Sequence, residues 1–260
     1  MHLCFGKRKG VSQLSKIADG SFIGGEDLQS FLVIGQSNMA GRGDIDDVAP
    51  INNFRCYMLR NGRFIRMSEP LNVDRAIFDG KYRCGIGLAP SFANEFANTL
   101  KVRVGLIPCA DGGTVIDDWQ PGGILYDHAV FMAKLAMRSS TFSGILWHQG
   151  ESDAATEISS EEYKQKLKNL INSIRAELRA ESLPFIMGEL SENVSTEWAR
   201  TSDIRRINKV IKEVAEELSF CGVASADGLS VKADGVHFDS VSLREFGKRY
   251  FNVYKEIKKL

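Results

Sequence analysis

The 260-residue sequence predicts an α/β protein, a three-layer α/β/α sandwich whose helices cover both faces of a mainly parallel central sheet. Short apolar runs of strand length alternate with longer segments whose apolar residues recur at helical spacing. No internal repeat, low-complexity tract or Pro/Gly/Ser-rich linker divides the chain. We therefore expect a single domain over residues 1–260, with its core at about residues 29–258 and an N-terminal extension at residues 1–28.

The predicted elements begin with Phe31–Ile34, a strand. Asn61-Gly62 follows between two β-type runs and is a hairpin signal, because both residues tolerate the positive φ that a tight turn needs. The hairpin strands are predicted at residues 53–59 and 63–67, and later strands at residues 103–107, 144–147, 185–190 and 222–226. Helices are predicted at residues 88–100, 125–137, 163–178, 204–218 and 242–257. Strand–helix–strand units make right-handed crossovers, so this alternation favours parallel pairing.

Charge and composition exclude several classes of partner. Thirty-three basic and thirty-three acidic residues cancel, whereas a nucleic-acid partner usually requires a basic surplus. No apolar run is long enough for a membrane span, and no apolar stretch follows the basic residues 7–9 as in a signal peptide. We therefore expect no nucleic-acid partner, no membrane partner and a cytoplasmic location. The oligomeric state is left open.

Neither a cofactor nor a metal is expected. The run that starts at Gly85 lacks the final glycine of a dinucleotide fingerprint, and Pro90 interrupts it. Asp44, Asp46 and Asp47 lack the spacing of a calcium loop and are predicted to be solvated. The five cysteines include no CxxC pair, which favours reduced, buried thiols.

Ser37 is the candidate nucleophile. An apolar run ends abruptly at the small-residue turn Gly35-Gln36-Ser37-Asn38, as expected for a side chain held at the carboxyl end of a buried strand. Open α/β sheets place their sites at these strand ends. A serine hydroxyl becomes nucleophilic only when a nearby base takes its proton, so the rest of the site must supply that base.

His237 is the candidate base, and Asp234 is the carboxylate that would orient it. The pKa of histidine lies near neutrality, which suits proton transfer. Spacing of three residues in a glycine-containing loop lets Asp234 accept a hydrogen bond from one ring nitrogen while the other nitrogen faces Ser37. The alternative is that this loop is only a polar turn. His148, the other candidate, is expected to have a structural or substrate-contacting role.

Two stretches can hold the negative charge of a tetrahedral oxyanion, a contribution of about 3 kcal/mol for each donor. Gly112 and Gly113 follow a predicted strand and can present backbone N–H groups. Gln149 follows another predicted strand and carries a side-chain amide. Ser37 adds its own backbone N–H, so the predicted oxyanion donors are Ser37, Gly112 and Gln149, with the choice between Gly112 and Gly113 open.

Four sequence blocks together resemble the SGNH-hydrolase superfamily, and more narrowly carbohydrate esterase family 6 and the sialate O-acetylesterase-like proteins. They are Gly-Gln-Ser37-Asn-Met-Ala-Gly, Gly112-Gly-Thr-Val-Ile-Asp-Asp-Trp119, Trp147-His-Gln149-Gly-Glu151-Ser-Asp and Asp234-Gly-Val-His237. The resemblance spans roughly residues 31–246. It implies the flavodoxin-like sandwich of that superfamily and the same triad and oxyanion roles. Gln149 stands where the broader superfamily has asparagine, and this change is typical of the acetylesterase branch.

The resemblance implies a cofactor-independent serine esterase that removes acetyl groups from sugars, such as acetylated xylan or O-acetyl sialic acid. Further substrate contacts are predicted for Asn38, Gly113, Glu151 and Trp119. Glu151 has the alternative role of anchoring its loop by hydrogen bonds. Trp119 and Trp147 have the alternative of lying in the core.

Three other interpretations of the sequence stay open. A lipase- or thioesterase-like hydrolase would prefer longer acyl chains. A non-catalytic carbohydrate-binding protein would need no base, so the Ser37, Asp234 and His237 set counts against it. An α/β-hydrolase would carry its G-x-S-x-G motif after several strands, whereas Ser37 follows the first core strand.

Overall fold

A computed structural model describes residues 27–73, 84–194 and 201–260. The strands of this part form one sheet in the order β3-β2-β4-β1-β5-β6-β7, and every neighbouring pair is parallel except β2 and β3. The strands are β1 (Leu28–Gly35), β2 (Cys56–Arg60), β3 (Arg63–Arg66), β4 (Arg103–Pro108), β5 (Thr141–His148), β6 (Phe185–Gly188) and β7 (Cys221–Ala224). The predicted α/β class with a mainly parallel sheet is thus confirmed.

Central β1 is covered on both faces, because helices lie on each side of the sheet. Its side chains alternate between two apolar clusters, as the two-residue period of a strand requires. Leu32 and Ile34 belong to one cluster, and Phe31 and Val33 belong to the other. A strand buried on both faces is expected to be a continuous apolar run, and this explains the composition of the segment before Ser37.

The β2–β3 hairpin turns at Asn61 and Gly62, as predicted. Arg60 pairs with Arg63 across the turn, and the φ angles of Asn61 and Gly62 are +47° and +74°. Positive φ at both turn residues matches the twist of the two strands, which is why the Asn-Gly pair is favoured there.

Helices complete the three layers: α1 (Ser37–Ala40), α2 (Ala89–Leu100), α3 (Ile124–Ala136), α4 (Glu151–Ala154), α5 (Ser160–Glu177), α6 (Thr201–Glu217) and α7 (Ser240–Lys258). Helices α2 and α7 cover one face of the sheet, and α3, α5 and α6 cover the other. The five long helices match the predicted ones within a few residues. The short helices α1 and α4 were not predicted, and both contribute to the candidate site.

The order of the sheet places a crevice at the carboxyl end of β1. β4 lies on one side of β1 and β5 on the other, so the chain reverses its direction of winding there. Loops that leave neighbouring parallel strands in opposite directions open a cleft, where ligands bind in such sheets. The segments after β1, β4 and β5 carry Ser37, Gly112 and Gln149 respectively.

Two further features of the described residues concern the sequence predictions. No helix there is long and apolar enough to span a membrane. Cys56 and Cys109 are buried free thiols, and burial raises the pKa of both, that of Cys56 to about 12. Most of the predicted N-terminal extension, with Cys4 and His2, lies outside the described residues.

Candidate active site

Ser37 is the first residue of α1 and is separated from the carboxyl end of β1 by Gln36 alone. Gly35 has a φ of +130°, and a Cβ atom there would lie 2.1 Å from the carbonyl oxygen of His148. Only glycine fits such a close approach without moving the neighbouring strand. Gln36 N donates to the same carbonyl at 2.8 Å, so the turn that presents Ser37 is fastened to β5.

His237 lies between Ser37 and Asp234, as predicted. Its Nε2 atom is 2.9 Å from Ser37 Oγ, and its Nδ1 atom is 2.9 Å from Asp234 Oδ2. Both distances are within hydrogen-bond reach for proton transfer. Residues separated by two hundred positions are thereby arranged in the geometry of a nucleophile, a base and an orienting carboxylate.

Asp234 is held in an ionised state by its own loop. Burial alone raises its pKa, but hydrogen bonds from the backbone N–H groups of His237 and Val236 and from the His237 ring outweigh it, so the pKa is lowered. The two backbone bonds reach Asp234 Oδ1 at 2.9 and 3.0 Å. The carboxylate is therefore negatively charged at neutral pH and suited to stabilise an imidazolium.

The predicted backbone donors lie at two turns that are tied together. Asp111 N donates to Gly35 O at 2.9 Å, which holds the segment after β4 beside the turn of Ser37. Gly112 is buried in this segment, and Gly113 is exposed with a φ of +76°. The N–H of Ser37 has no acceptor within the part of the chain that the structure describes. Ser37 and either glycine are thus the candidate oxyanion donors.

Gln149, a predicted oxyanion donor, has a buried side chain that connects several segments of the site. Its side chain is 0% exposed. Its Nε2 atom donates to Asp153 Oδ2, to Thr114 O at 3.1 Å and to Gln36 Oε1 at 3.2 Å, and its Oε1 accepts from Tyr163 at 3.3 Å. An amide nitrogen has two hydrogens, and three protein acceptors already compete for them.

Asn38 and Glu151, two of the predicted substrate contacts, are buried, each 1% exposed. Asn38 Nδ2 donates to Glu151 Oε1 at 2.6 Å, and His148 Nε2 lies 3.1 Å from the same oxygen. This is the anchoring role considered for Glu151 as an alternative. His148 is also 0% exposed, so it has the expected structural role and does not compete with His237.

Glu151 is ionised despite its burial. Burial raises its pKa, but attraction to His148 and hydrogen bonds from His148, Asn38 and its own backbone outweigh this effect and lower the pKa. These partners offset the cost of burying the carboxylate, and removing one of them would leave a less compensated buried charge.

Trp119, another predicted substrate contact, lies in the core, which is the alternative considered for it. Its side chain is 0% exposed, its Nε1 atom donates to Thr114 Oγ1 at 3.1 Å, and its ring stands edge-on to Trp147 at 5.5 Å. Trp147 is buried as well. Of the four predicted substrate contacts, only Gly113 is solvent-exposed.

Asp153 and Gln36 are contributors that the sequence did not reveal. Asp153 Oδ2 accepts from Ile116 N at 2.9 Å as well as from Gln149, so it links α4 to the segment after β4. Gln36 Oε1 accepts from Gly150 N at 3.2 Å. Both residues lie within four positions of a predicted site residue, and this closeness in the sequence could have identified them.

Asp153 predicts a pH-dependent contribution to stability. Burial raises its pKa to about 6, although hydrogen bonds from Gln149 and Ile116 act in the opposite direction. Aspartate in an unfolded chain has a pKa of about 3.9. Between these values the folded state binds more protons than the unfolded state, so the wild-type free energy of unfolding falls as pH rises. Asp153→Asn lacks this titration.

We therefore expect the free energy of unfolding of the wild type to fall relative to Asp153→Asn as the pH rises from about 4 to above 6. Urea denaturation at closely spaced pH values measures both proteins. Asp46→Asn, the same chemical change at an exposed residue, serves as the control. A difference between wild type and Asp153→Asn that stays constant with pH would contradict the raised pKa.

Metal binding has no candidate residues in the described ranges, where no group of three or more His, Cys, Asp or Glu side chains is arranged to hold an ion. Asp44, Asp46 and Asp47 are all exposed, as predicted for a solvated cluster. Lys232 Nζ lies 3.0 Å from Asp44 Oδ1.

Residues 27–256 match the model of a protein family described as carbohydrate esterase, sialic acid-specific acetylesterase. A probable carbohydrate esterase of Arabidopsis thaliana is 31% identical over 246 residues, which cover 87% of this chain and 90% of the relative. A crystal structure from Arabidopsis thaliana superposes with a TM-score of 0.76 at 29% identity, covering 88% of this chain and 98% of that one.

Two more distant structures share the fold. A carbohydrate acetylesterase of Xanthomonas citri gives a TM-score of 0.63 at 18% identity, over 88% of this chain and 56% of that chain. The acetylxylan esterase Axe2 of Geobacillus stearothermophilus gives 0.54 at 12% identity, over 90% and 96%. At these identities the likeness concerns the architecture of the sheet and helices.

Proposed function

The chain belongs to the sialic acid-specific acetylesterase family of carbohydrate esterases, and on this premise we propose that it hydrolyses O-acetyl esters of sugars through an acetyl-enzyme on Ser37. Family membership makes it a carboxylic ester hydrolase that acts on acetyl esters. The serine mechanism is supported by one observation, the continuous series of hydrogen bonds from Ser37 Oγ through His237 to Asp234.

The proposed first step is acylation. Ser37 Oγ attacks the carbonyl carbon of the acetyl group while His237 Nε2 takes the hydroxyl proton, and Asp234 stabilises the resulting imidazolium. The tetrahedral oxyanion accepts hydrogen bonds from the N–H of Ser37 and from a glycine N–H of the 112–113 turn. When the ester C–O bond breaks, His237 returns the proton to the departing sugar oxygen and the acetyl group stays on Ser37.

The second step is deacylation. A water molecule gives a proton to His237 Nε2 and attacks the acetyl carbonyl carbon. The tetrahedral intermediate collapses, the bond to Ser37 Oγ breaks, and the proton on His237 goes to that oxygen. Acetate leaves and the site returns to its starting state, so the cycle uses only ester and water.

The burial of large apolar side chains near the site favours substrates with an acetyl group over substrates with a long acyl chain. The large apolar side chains of the surrounding loops, Trp119, Trp147 and Phe238, are 0% exposed and packed into the core. They are therefore occupied within the protein, and none of them lines a groove for a long chain. The alternative hydrolase of longer acyl esters would require such a groove.

The proposal is tested by measuring acetate released from O-acetyl sialic acid and from acetylated xylo-oligosaccharides, with p-nitrophenyl acetate and octanoate as chain-length probes. We expect acetate from at least one of the sugars, and kcat/KM at least about 10-fold higher for the acetyl than for the octanoyl ester, because a mismatched pocket costs 1–3 kcal/mol. Higher rates with octanoate would favour the lipase-like alternative. Absence of acetate from every sugar would contradict the proposed substrate class.

A further inference from the structure

Asn38 contacts the backbone on both sides of His237, the candidate base. Its Oδ1 atom accepts from Phe238 N at 3.1 Å, and its Nδ2 atom reaches Val236 O at 3.4 Å. Phe238 and Val236 are the residues on either side of His237. The residue that follows the nucleophile therefore holds the backbone that carries the base.

Glu151 supplies the fixed end of this arrangement. The bond from Asn38 Nδ2 to Glu151 Oε1 measures 2.6 Å, within the range of a charge-assisted hydrogen bond. Glu151 in turn lies against His148, which is the last residue of β5. Tyr250 on α7 lies 3.4 Å from His148 Nδ1 and donates to the Trp147 carbonyl at 2.8 Å. The contacts of Asn38 thus lead to the central sheet and to a long helix.

Lys232 also holds the loop of His237, which runs from β7 to α7. Its backbone N–H donates to His237 O at 2.7 Å, and its Nζ donates to Arg42 O at 2.9 Å, four residues from Asn38. Asp234 is on the same loop, so it orients the ring but does not fix the loop relative to Ser37. A displacement of about 1 Å between reacting groups can cost about 100-fold in rate. Asn38 joins the Ser37 turn directly to the two residues that flank His237, and this contact bears on the distance between the base and Ser37.

We propose that Asn38, anchored on the Glu151 carboxylate, is a positioning residue that sets the separation between His237 Nε2 and Ser37 Oγ. The inference rests on the proposed function, in which His237 is the base. Asn38 is 1% exposed and all its polar atoms bind protein groups, so it acts through the loop and does not touch substrate.

The donor and the acceptor in the 2.6 Å bond can be exchanged, which provides a test. Asn38→Asp removes the donor and places a second buried carboxylate against Glu151. Glu151→Gln alone replaces the charged acceptor with an amide. The double variant Asn38→Asp/Glu151→Gln restores an amide–carboxylate pair in the opposite direction.

We expect Asn38→Asp to lower kcat for p-nitrophenyl acetate about 100-fold, with KM changed less than about 3-fold, because the base is displaced and the substrate contacts are not. The double variant is expected to recover kcat to within about 10-fold of wild type, so that the two changes are not additive. Labelling of Ser37 by an organophosphonate, which also needs the base, should slow and recover in parallel.

Asn98→Asp makes the same chemical change at an exposed helix position and should leave kcat unchanged. If Asn38→Asp fails to fold by circular dichroism, Asn38→Ala replaces it, with the same expected loss of kcat at unchanged KM. Wild-type kcat in a folded Asn38 variant would overturn the inference, as would a raised KM at unchanged kcat or a double variant no faster than the product of the two singles. Failure of the proposed function is seen separately, as full activity in Ser37→Ala.

Discussion

Ser37→Ala is expected to lower kcat for p-nitrophenyl acetate by about 10^6-fold, since loss of the nucleophile removes the covalent path and leaves His237 without its partner. The fold should be retained, because alanine suits the first turn of α1 and, among the described residues, Ser37 Oγ bonds to His237 Nε2 alone, at 2.9 Å. Acetate release measures the loss of activity, and circular dichroism and thermal unfolding measure whether the fold is retained.

Ser173→Ala is the matched control, because Ser173 lies on α5, where its hydroxyl donates to Asn169 Oδ1 at 3.4 Å. It should keep wild-type kcat. A folded Ser37→Ala protein with activity within 10-fold of wild type would exclude Ser37 as nucleophile. In that case the carbohydrate esterase would need another mechanism, even though its family membership would stand.

The fold was predictable because the sequence pattern is consistent along most of the chain. Buried β1 is a continuous apolar run, and the Asn61-Gly62 turn has one favoured backbone geometry. The alternation of strands and helices then leaves few ways to order the sheet. The short helices α1 and α4 escaped prediction because four residues show no helical periodicity, and tertiary contacts stabilise them.

The site was predictable where backbone position alone decides the chemistry. Ser37, Asp234 and His237 come together because the loops that carry them leave the same edge of the sheet. The burial of Gln149, Asn38 and Trp119 could not be predicted, because it depends on which way each side chain points. That direction is set by partners far along the chain, such as Asp153 and Glu151.

Short helix α4 connects the three segments that form the site. Glu151 holds Asn38 and, through it, the loop of His237. Asp153 holds Ile116 in the segment after Gly112. The backbone N–H of Ser152 donates to Gln36 Oε1 at 3.3 Å, just before Ser37. The carboxylates of the third sequence block therefore act as structural partners of the other blocks, which accounts for their burial beside a reactive site.

Two carboxylates each face a histidine, Asp234 in an exposed loop and Glu151 in the interior, and their contacts differ. Asp234 contacts His237, whose other nitrogen reaches Ser37. Glu151 contacts His148, which lies 0% exposed against Tyr250. Only the first pair leads to the nucleophile, so Asp234 is the carboxylate whose charge should matter for proton transfer.

Asp234→Asn is accordingly expected to lower kcat/KM by about 10^4-fold, because an amide nitrogen facing His237 Nδ1 favours the ring tautomer whose Nε2 carries a proton and cannot accept one from Ser37. The fold should persist, since the amide oxygen can still accept from the backbone N–H groups of His237 and Val236. Asp227→Asn, an exposed change on the same loop with the same loss of charge, should leave kcat/KM unchanged. Activity of Asp234→Asn within 10-fold of wild type, together with a 10^4-fold loss in a folded Glu151→Gln protein, would transfer the role of orienting carboxylate to Glu151.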